Sequence, residues 1–474
     1  MASSLFVTDT CFERRSSELT VSGVNALIEK CCGGQVSKSV VGITSEGHVL
    51  LSSGETFKVA SSPSAAASNN NSISSETLLR SVSNKRCAAV HETVLAKRSR
   101  FEKKTRAPCA RWGATFINVG KNKYMLYGGE ADYADENHSS DAGAGGGRFL
   151  GDVHFCELSS DGLTYKWTTP LGCEGSPRAW HTATYIPSSN LVVVMGGTRE
   201  SEEILDAQLF DCDINLWYPL TSNGKAPCPR MGHSAARFDG TICIFGGCRQ
   251  RKWFNDVYFL DTKSWRWSQP RIAGIAPEPR TYHSASIISD RQMVILSGNG
   301  ADKTFSDIHI LTSSASNNAP EEKSTKKERK WRWVQPRISK GSMMSARCGH
   351  RAVVVHSGAL KLPRLVISGG WDTWGEVVEV FADVHAISFD GDADDAAPRA
   401  SCECIVKDDA EEHGGMLQRT GHAASVSPDG DMVFVCGQGP PPDSLRFGGV
   451  PIAVSVVMNS STGVEKIVRV LEER

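Results

Sequence analysis

A six-bladed, all-β propeller with a largely disordered N-terminal extension is the fold the sequence predicts, and three recurring features predict it. The first is Arg-x-x-His, found at Arg178/His181, Arg230/His233, Arg280/His283, Arg347/His350 and Arg419/His422. A sixth, earlier copy keeps Arg111 but has Ala114 at the histidine position. The second is an apolar run after each copy that closes on glycines: Gly128-Gly129, Gly196-Gly197, Gly246-Gly247, Gly298-Asn299-Gly300, Gly369-Gly370 and Gly437-Gln438-Gly439. The third is an aspartate before a later apolar run ("GDVHFCEL", "LDAQLFD", "NDVYFLD", "SDIHIL", "ADVHAISFD"), followed in the first four copies by tryptophan. Those tryptophans are Trp167, Trp217, Trp265 with Trp267, and Trp331 with Trp333. Units that recur in this way cannot bury their own faces alone and gain a core by packing on their neighbours.

Each unit reads as four short strands. In "TICIFGG", Ile242 and Ile244 share one face, and Cys243 and Phe245 the other. Apolar residues on both faces mean that both are covered, as in a radial array where every blade packs between two others. Glycines at the strand exit suit a positive φ or a close backbone approach. The late tryptophan supplies a broad apolar plate between blades. Successive arginines are 67, 52, 50, 67 and 72 residues apart, so the longer intervals hold insertions, such as 130–148, 312–330 and 390–415. The tail "PIAVSVVMNSSTGVEKIVRVL" reads as a hairpin completing the sixth blade.

Ordered sets of Arg-x-x-His, Gly-Gly, Asp and Trp at a period near 50 residues resemble the kelch repeat family over residues 108–474. The resemblance implies that the repeated Arg and His tie strands and turns together by hydrogen bonds. It also implies a protein-binding scaffold or adaptor, without the F-box or BTB domain of many adaptors being recognisable in residues 1–107. The departures are Ala114, the two Gly-x-Gly exits, and the lack of a tryptophan in the last two units.

The N-terminal extension, 1–107, divides by composition. Residues 39–59 alternate enough for a hairpin, which joins the ring in one reading and stands apart in another. Residues 60–75 are small and polar, a disordered linker. Residues 76–106 suit a helix ending in the basic "KRSRFEKKTR" at 97–106, read either as a solvated helix end or as an import or nucleic-acid patch.

A net charge of −1 gives no global pull toward nucleic acid or anionic lipid, and no apolar run is long enough to span a membrane. Fifteen cysteines without a C-x-x-C fit reduced thiols of the cytoplasm or nucleus better than a disulfide frame or zinc site. Glu379, Asp383 and His385 lie close together, but their spacing matches no ligand set, and no cofactor or metal is expected. Six equivalent Arg-x-x-His copies are structural rather than catalytic, because catalysis needs one asymmetric site. The loops after the glycines leave equivalent strands and so share one rim. Arg249, Arg251, Trp253, Trp371 and Trp374 stand out there as partner-binding residues, since Trp and Arg concentrate binding energy. The expectation is a non-enzymatic protein-interaction scaffold. The alternatives are a propeller enzyme acting on a sugar or small metabolite, and a nuclear factor using the basic segment.

Overall fold

The alternating runs become strands with covered faces: Ile242, Cys243, Ile244 and Phe245 are all at most 1% exposed. In the computed structural model the described residues are 4–5, 40–43, 48–51, 56–59, 103–104 and, from 107 to 473, all but 132–146, 161, 171, 201, 205, 239, 314–329, 341–342, 357–362, 375–377, 391–397, 408–414, 428, 441–446 and 460–462. They contain strands and turns and no helix. Contacts divide the chain into two units, 1–102 with 213–218, and 103–212 with 219–474.

In the first unit, Val40–Ile43, His48–Leu51 and Thr56–Val59 form an antiparallel sheet, and Ser4–Leu5 adds to it in parallel. The stretch 39–59, expected as one hairpin, thus holds three strands in a sheet of their own. The linker 60–75 lies outside the described residues. So does the expected helix at 76–106, except at Lys103–Lys104, which is strand and pairs with Thr168–Thr169.

The second unit is a six-bladed β-propeller. The innermost strands are Thr115–Asn118, Thr182–Ile186, Ser234–Phe238, Ser284–Ser289, Arg351–Val355 and Ala423–Val426, each directly after an Arg-x-x-His copy or its degenerate form. Each of these strands touches the innermost strand of the next blade, and the last touches the first, so the ring closes. The C-terminal hairpin, Ile452–Asn459 against Gly463–Val470, completes blade six as the sequence predicts. Trp167 is fully buried between blades one and six, its indole N–H donating to the Gly449 carbonyl at 2.7 Å. Trp331 and Trp333 pack with Phe238, Phe245 and Phe259 between blades three and four.

Hydrogen bonds knit the blades. The N–H of Gly129, Gly197, Gly247, Gly298, Gly370 and Gly437 donates to the carbonyl of the next blade's repeat arginine at 2.8–3.0 Å, the last returning to Arg111. The strand exits read as Gly-x-Gly in blades four and six are corrected by this register. Ser297-Gly298 and Cys436-Gly437 occupy the two positions, and Ser297 and Cys436 take the left-handed φ of 55° and 63° that glycine holds elsewhere.

A second tie runs along the outer edges. Ile272–Ala273, leaving blade three, pairs in parallel with Trp331–Arg332 of blade four. Arg337–Lys340, leaving blade four, pairs with the outer strand of blade five. Glu472–Glu473, leaving blade six, pairs with Thr164–Tyr165 of blade one. A β-carbon on Gly274, which follows the first of these, would stand 2.6 Å from the Trp333 carbonyl oxygen, so this crossing needs glycine.

Each repeat arginine is a buried strut. Arg111, Arg178, Arg230, Arg280 and Arg347 pair with Asp152, Asp206, Asp256, Asp307 and Asp383, the aspartates ahead of the third strands, at 2.5–2.9 Å. In all six blades the guanidinium also donates to the carbonyl of the first strand-exit residue, at 2.8–3.1 Å. Arg419 pairs with no aspartate among the described residues. Gly448 accepts the strand-exit N–H, as the aspartate carbonyls do in blades one to three, and Arg419 instead lies 4.0 Å over the Phe447 ring.

The repeat histidines tie each blade to the preceding one. The Nε2 atoms of His181, His233, His283 and His350 pair with the hydroxyls of Thr115, Thr182, Ser234 and Ser284 at 2.8–3.0 Å. His233→Ala should therefore destabilise the ring by about 1–3 kcal/mol, the usual cost of stranding a buried partner. Chemical unfolding of the variant checks this, and an unchanged midpoint would remove the inter-blade bond from the account.

Candidate binding face

The residue before each repeat histidine builds a closed annulus of backbone. The N–H of Gly113 donates to the Gly421 carbonyl, Trp180 to Gly113, Gly232 to Trp180, Tyr282 to Gly232, Gly349 to Tyr282 and Gly421 to Gly349, all at 2.8–3.0 Å. One donor and one acceptor per blade satisfy each other around the axis. The geometry demands a left-handed backbone, with φ of 53–66° at all six positions. Glycine meets that demand at four of them, while Trp180 and Tyr282 carry it against an unfavourable Cβ.

Those two exceptions form the centre of a face. Trp112 packs edge-on against Trp180 at 5.1 Å and against Trp371 at 6.0 Å, and Trp180 against Tyr282 at 4.7 Å. The rings therefore span from blade five through one and two to four, and each remains partly exposed. The glycines between make room for them. A β-carbon on Gly421 would come within 2.7 Å of the Trp180 ring, and one on Gly232 within 2.9 Å of Tyr282. Burial pushes the Tyr282 hydroxyl well above its ordinary range, so it stays protonated.

Hairpins surround this floor. Trp112, Ala179, Met231, Thr281, Cys348 and Thr420 bridge to Glu130, Thr198, Cys248, Asn299, Trp371 and Gln438, the first residues after the strand exits. This register puts the post-glycine loops on the same end as the annulus. The walls include Glu130–Ala131 with Arg148–Phe149, Thr198–Arg199 with Glu202–Glu203, Cys248–Arg249 with Lys252–Trp253, and Trp371–Asp372 with Glu379–Val380.

Of the residues singled out from sequence, Trp371 belongs to the aromatic floor. Trp374 is 50% exposed on the same blade, its backbone N–H donating to the Asp372 carboxylate at 3.0 Å. Arg249, Arg251 and Trp253 lie on blade three's hairpin, whose tight turn is Gln250-Arg251, both at positive φ. Arg251 is exposed, whereas Arg249 and Trp253 are half-buried. No hydrogen bond, ion pair or ring contact among the described residues joins this group to Trp371 or Trp374. Sequence reasoning missed Trp112, Trp180 and Tyr282, which occupy the "x" positions of the motif. The available signal was the column before the histidine, glycine in four copies and aromatic in two.

The carboxylate–histidine group of blade five is structural in its geometry. Asp383 lies between Arg347 and His385 at 2.5 and 2.8 Å, and the ion pair raises the imidazole to about 9. Glu379 is exposed on the separate wall hairpin, and no cluster with metal-holding potential occurs among the described residues. A cavity of about 240 Å³ between blades two and three is lined by Cys228, Arg230, Asp206 and His233. Its charged groups are already engaged: Arg230 with Asp256, Asp206 with Arg178, and His233 with Thr182.

Blades with these struts, strand exits and period define a kelch-type β-propeller. The KLHDC2/KLHL20/DRC7 Kelch-repeats domain model matches residues 142–357. Host cell factor 1 of Homo sapiens is 34% identical over 146 residues, 30% of this chain and 7% of that protein. Rab9 effector protein with kelch motifs of Rattus norvegicus is 32% identical over 93 residues, 19% of this chain and 25% of that one. The matched region is thus a small part of these relatives. The solved structure of YjhT aligns with a TM-score of 0.51 over 76% of this chain and 98% of its own at 12% identity, a likeness of fold alone. No helix among the described residues is long and apolar enough to cross a membrane.

Proposed function

We propose that this propeller is a protein-interaction module whose partner docks on the aromatic floor and its surrounding hairpins. The observation that carries the reading is the partly exposed Trp112–Trp180–Tyr282–Trp371 chain, held over a backbone annulus that fixes its position. Rigid aromatics in a pre-formed face lose little entropy on binding and are the side chains that dominate interface energy. Arg251 and Trp374, exposed on the hairpins of blades three and five, are the adaptable contacts at the margin. The relatives bear on this only through their printed names, one of which is a Rab9 effector. A scaffold or adaptor role in the cytoplasm or nucleus, without catalysis, is part of the same proposal.

The test is affinity capture of the tagged full-length chain, compared with Trp371→Ala/Arg251→Ala and with Trp374→Ala. The double variant should lose most specifically captured protein while its melting temperature stays near the parent's. Equal capture by folded variants would overturn the reading.

A further inference from the structure

The position after each repeat histidine forms a column around the axis: Thr115, Thr182, Ser234, Ser284, Arg351 and Ala423. The first four present hydroxyls to the imidazole of the next blade. The sixth is silent on both sides, because Ala423 shares a buried cluster with Ala114, where blade one lacks its histidine. Hydroxyl and imidazole are lost there together. The fifth breaks the pattern. Arg351 stands where the hydroxyl should be, and the Nε2 of His422, 0% exposed, has no hydrogen-bond partner among the described residues.

Arg351 is itself uncompensated. It makes no side-chain hydrogen bond or ion pair among the described residues, and burial alone lowers it to about 10. Its charge depresses His350 and His422 of its own and the next blade, and also His181 of blade two, diametrically opposite in the ring. Arg351 opens the innermost strand of blade five and is partly exposed, as are Thr115 and Thr182 at the same position of blades one and two. The imidazoles around it are neutral, so nothing among the described residues answers its charge. A planar fork of five N–H donors fits an oxyanion with two parallel bonds.

We propose that Arg351 and the Nε2 of His422 form a channel site for a small tetrahedral oxyanion of the phosphate or sulfate class. The guanidinium supplies the charge, and the Nε2 of His422 supplies a further donor when it carries the ring proton. Hydroxyls of the column complete the lining.

The experiment titrates full-length protein with inorganic phosphate, sulfate, acetate and chloride at matched ionic strength, following melting temperature and calorimetric binding. Phosphate or sulfate should raise the melting temperature above chloride, with acetate weaker. Arg351→Ser restores the hydroxyl–histidine pair of the other blades. It should therefore fold at least as well as the parent in chloride while weakening phosphate binding about tenfold or more. His422→Gln is the second variant and should weaken binding less than Arg351→Ser. No response of the parent, an equal response of Arg351→Ser, or acetate as effective as phosphate would each overturn the assignment.

Discussion

Acidification below about pH 6.5 is expected to destabilise the propeller steeply, by about 1.4 kcal/mol per pH unit for every buried histidine that stays neutral. His181, His233, His283, His350 and His422 are at most 6% exposed. Desolvation pushes all five down, His233 and His350 to about 3, and neighbouring arginine charges add to the effect. The unfolded chain takes up these protons near 6.5, and the folded chain does not. Their contribution is therefore present above 6.5 and lost as pH falls toward the folded values. Acting together, five such groups reach about 7 kcal/mol per unit, comparable to the whole stability of many domains. His385 works in the opposite sense. Raised to about 9 by Asp383, it stabilises fully below 6.5 and loses that effect as pH climbs to 9, but it is a single group. Urea midpoints by tryptophan fluorescence between pH 8 and 5 measure the slope, and His283→Gln should reduce it by one proton's worth. A flat profile would mean that the imidazoles are solvated in the folded state.

The ring was legible because its side chains repeat. Arg230, His233 and the Gly246-Gly247 exit announce a blade by themselves, and counting copies separates a structural histidine from a catalytic one. What repeats without a fixed side chain was hidden. The parallel outer pairs at 272–273, 337–340 and 472–473 are backbone bonds, which almost any residue can make. The annulus left only a conformational trace, and its glycine column was passed over because two members are Trp180 and Tyr282. A glycine pattern misplaces the register at Ser297 and Cys436, because the fold asks there only for a left-handed residue. The candidate face was half legible. Trp371 stood out as a tryptophan after a glycine pair, while Trp112, far away in sequence, meets it only through ring closure, and Trp180 joins the chain through Trp112. Arg351 was invisible as an anomaly until the hydroxyl column gave it neighbours.

Arg280→Ala should destabilise the ring by about 3–5 kcal/mol, the cost of breaking a buried charge pair from one side. Its guanidinium is 0% exposed and holds both Asp307 oxygens, at 2.6 and 2.9 Å. It also donates to the carbonyls of Ser297 and Glu278 at 3.0 Å, and covers the Phe305 ring at 4.0 Å. One side chain thus joins the strand exit, the third strand and the inter-blade turn of blade four, and alanine releases all three while leaving Asp307 without its counter-charge. The comparison that isolates the ion pair is internal to the protein. Arg419 makes the same strand-exit bond to Cys436 and covers Phe447 but meets no carboxylate among the described residues, and burial lowers it to about 10. Arg419→Ala loses packing and two backbone bonds and strands no aspartate, so its cost should be clearly smaller. Arg280→Met/Asp307→Leu, which removes both charges and keeps volume, should recover much of the loss. Urea unfolding of the three variants ranks them, and a larger loss for Arg419→Ala than for Arg280→Ala would show that packing, not the ion pair, is what holds the strut.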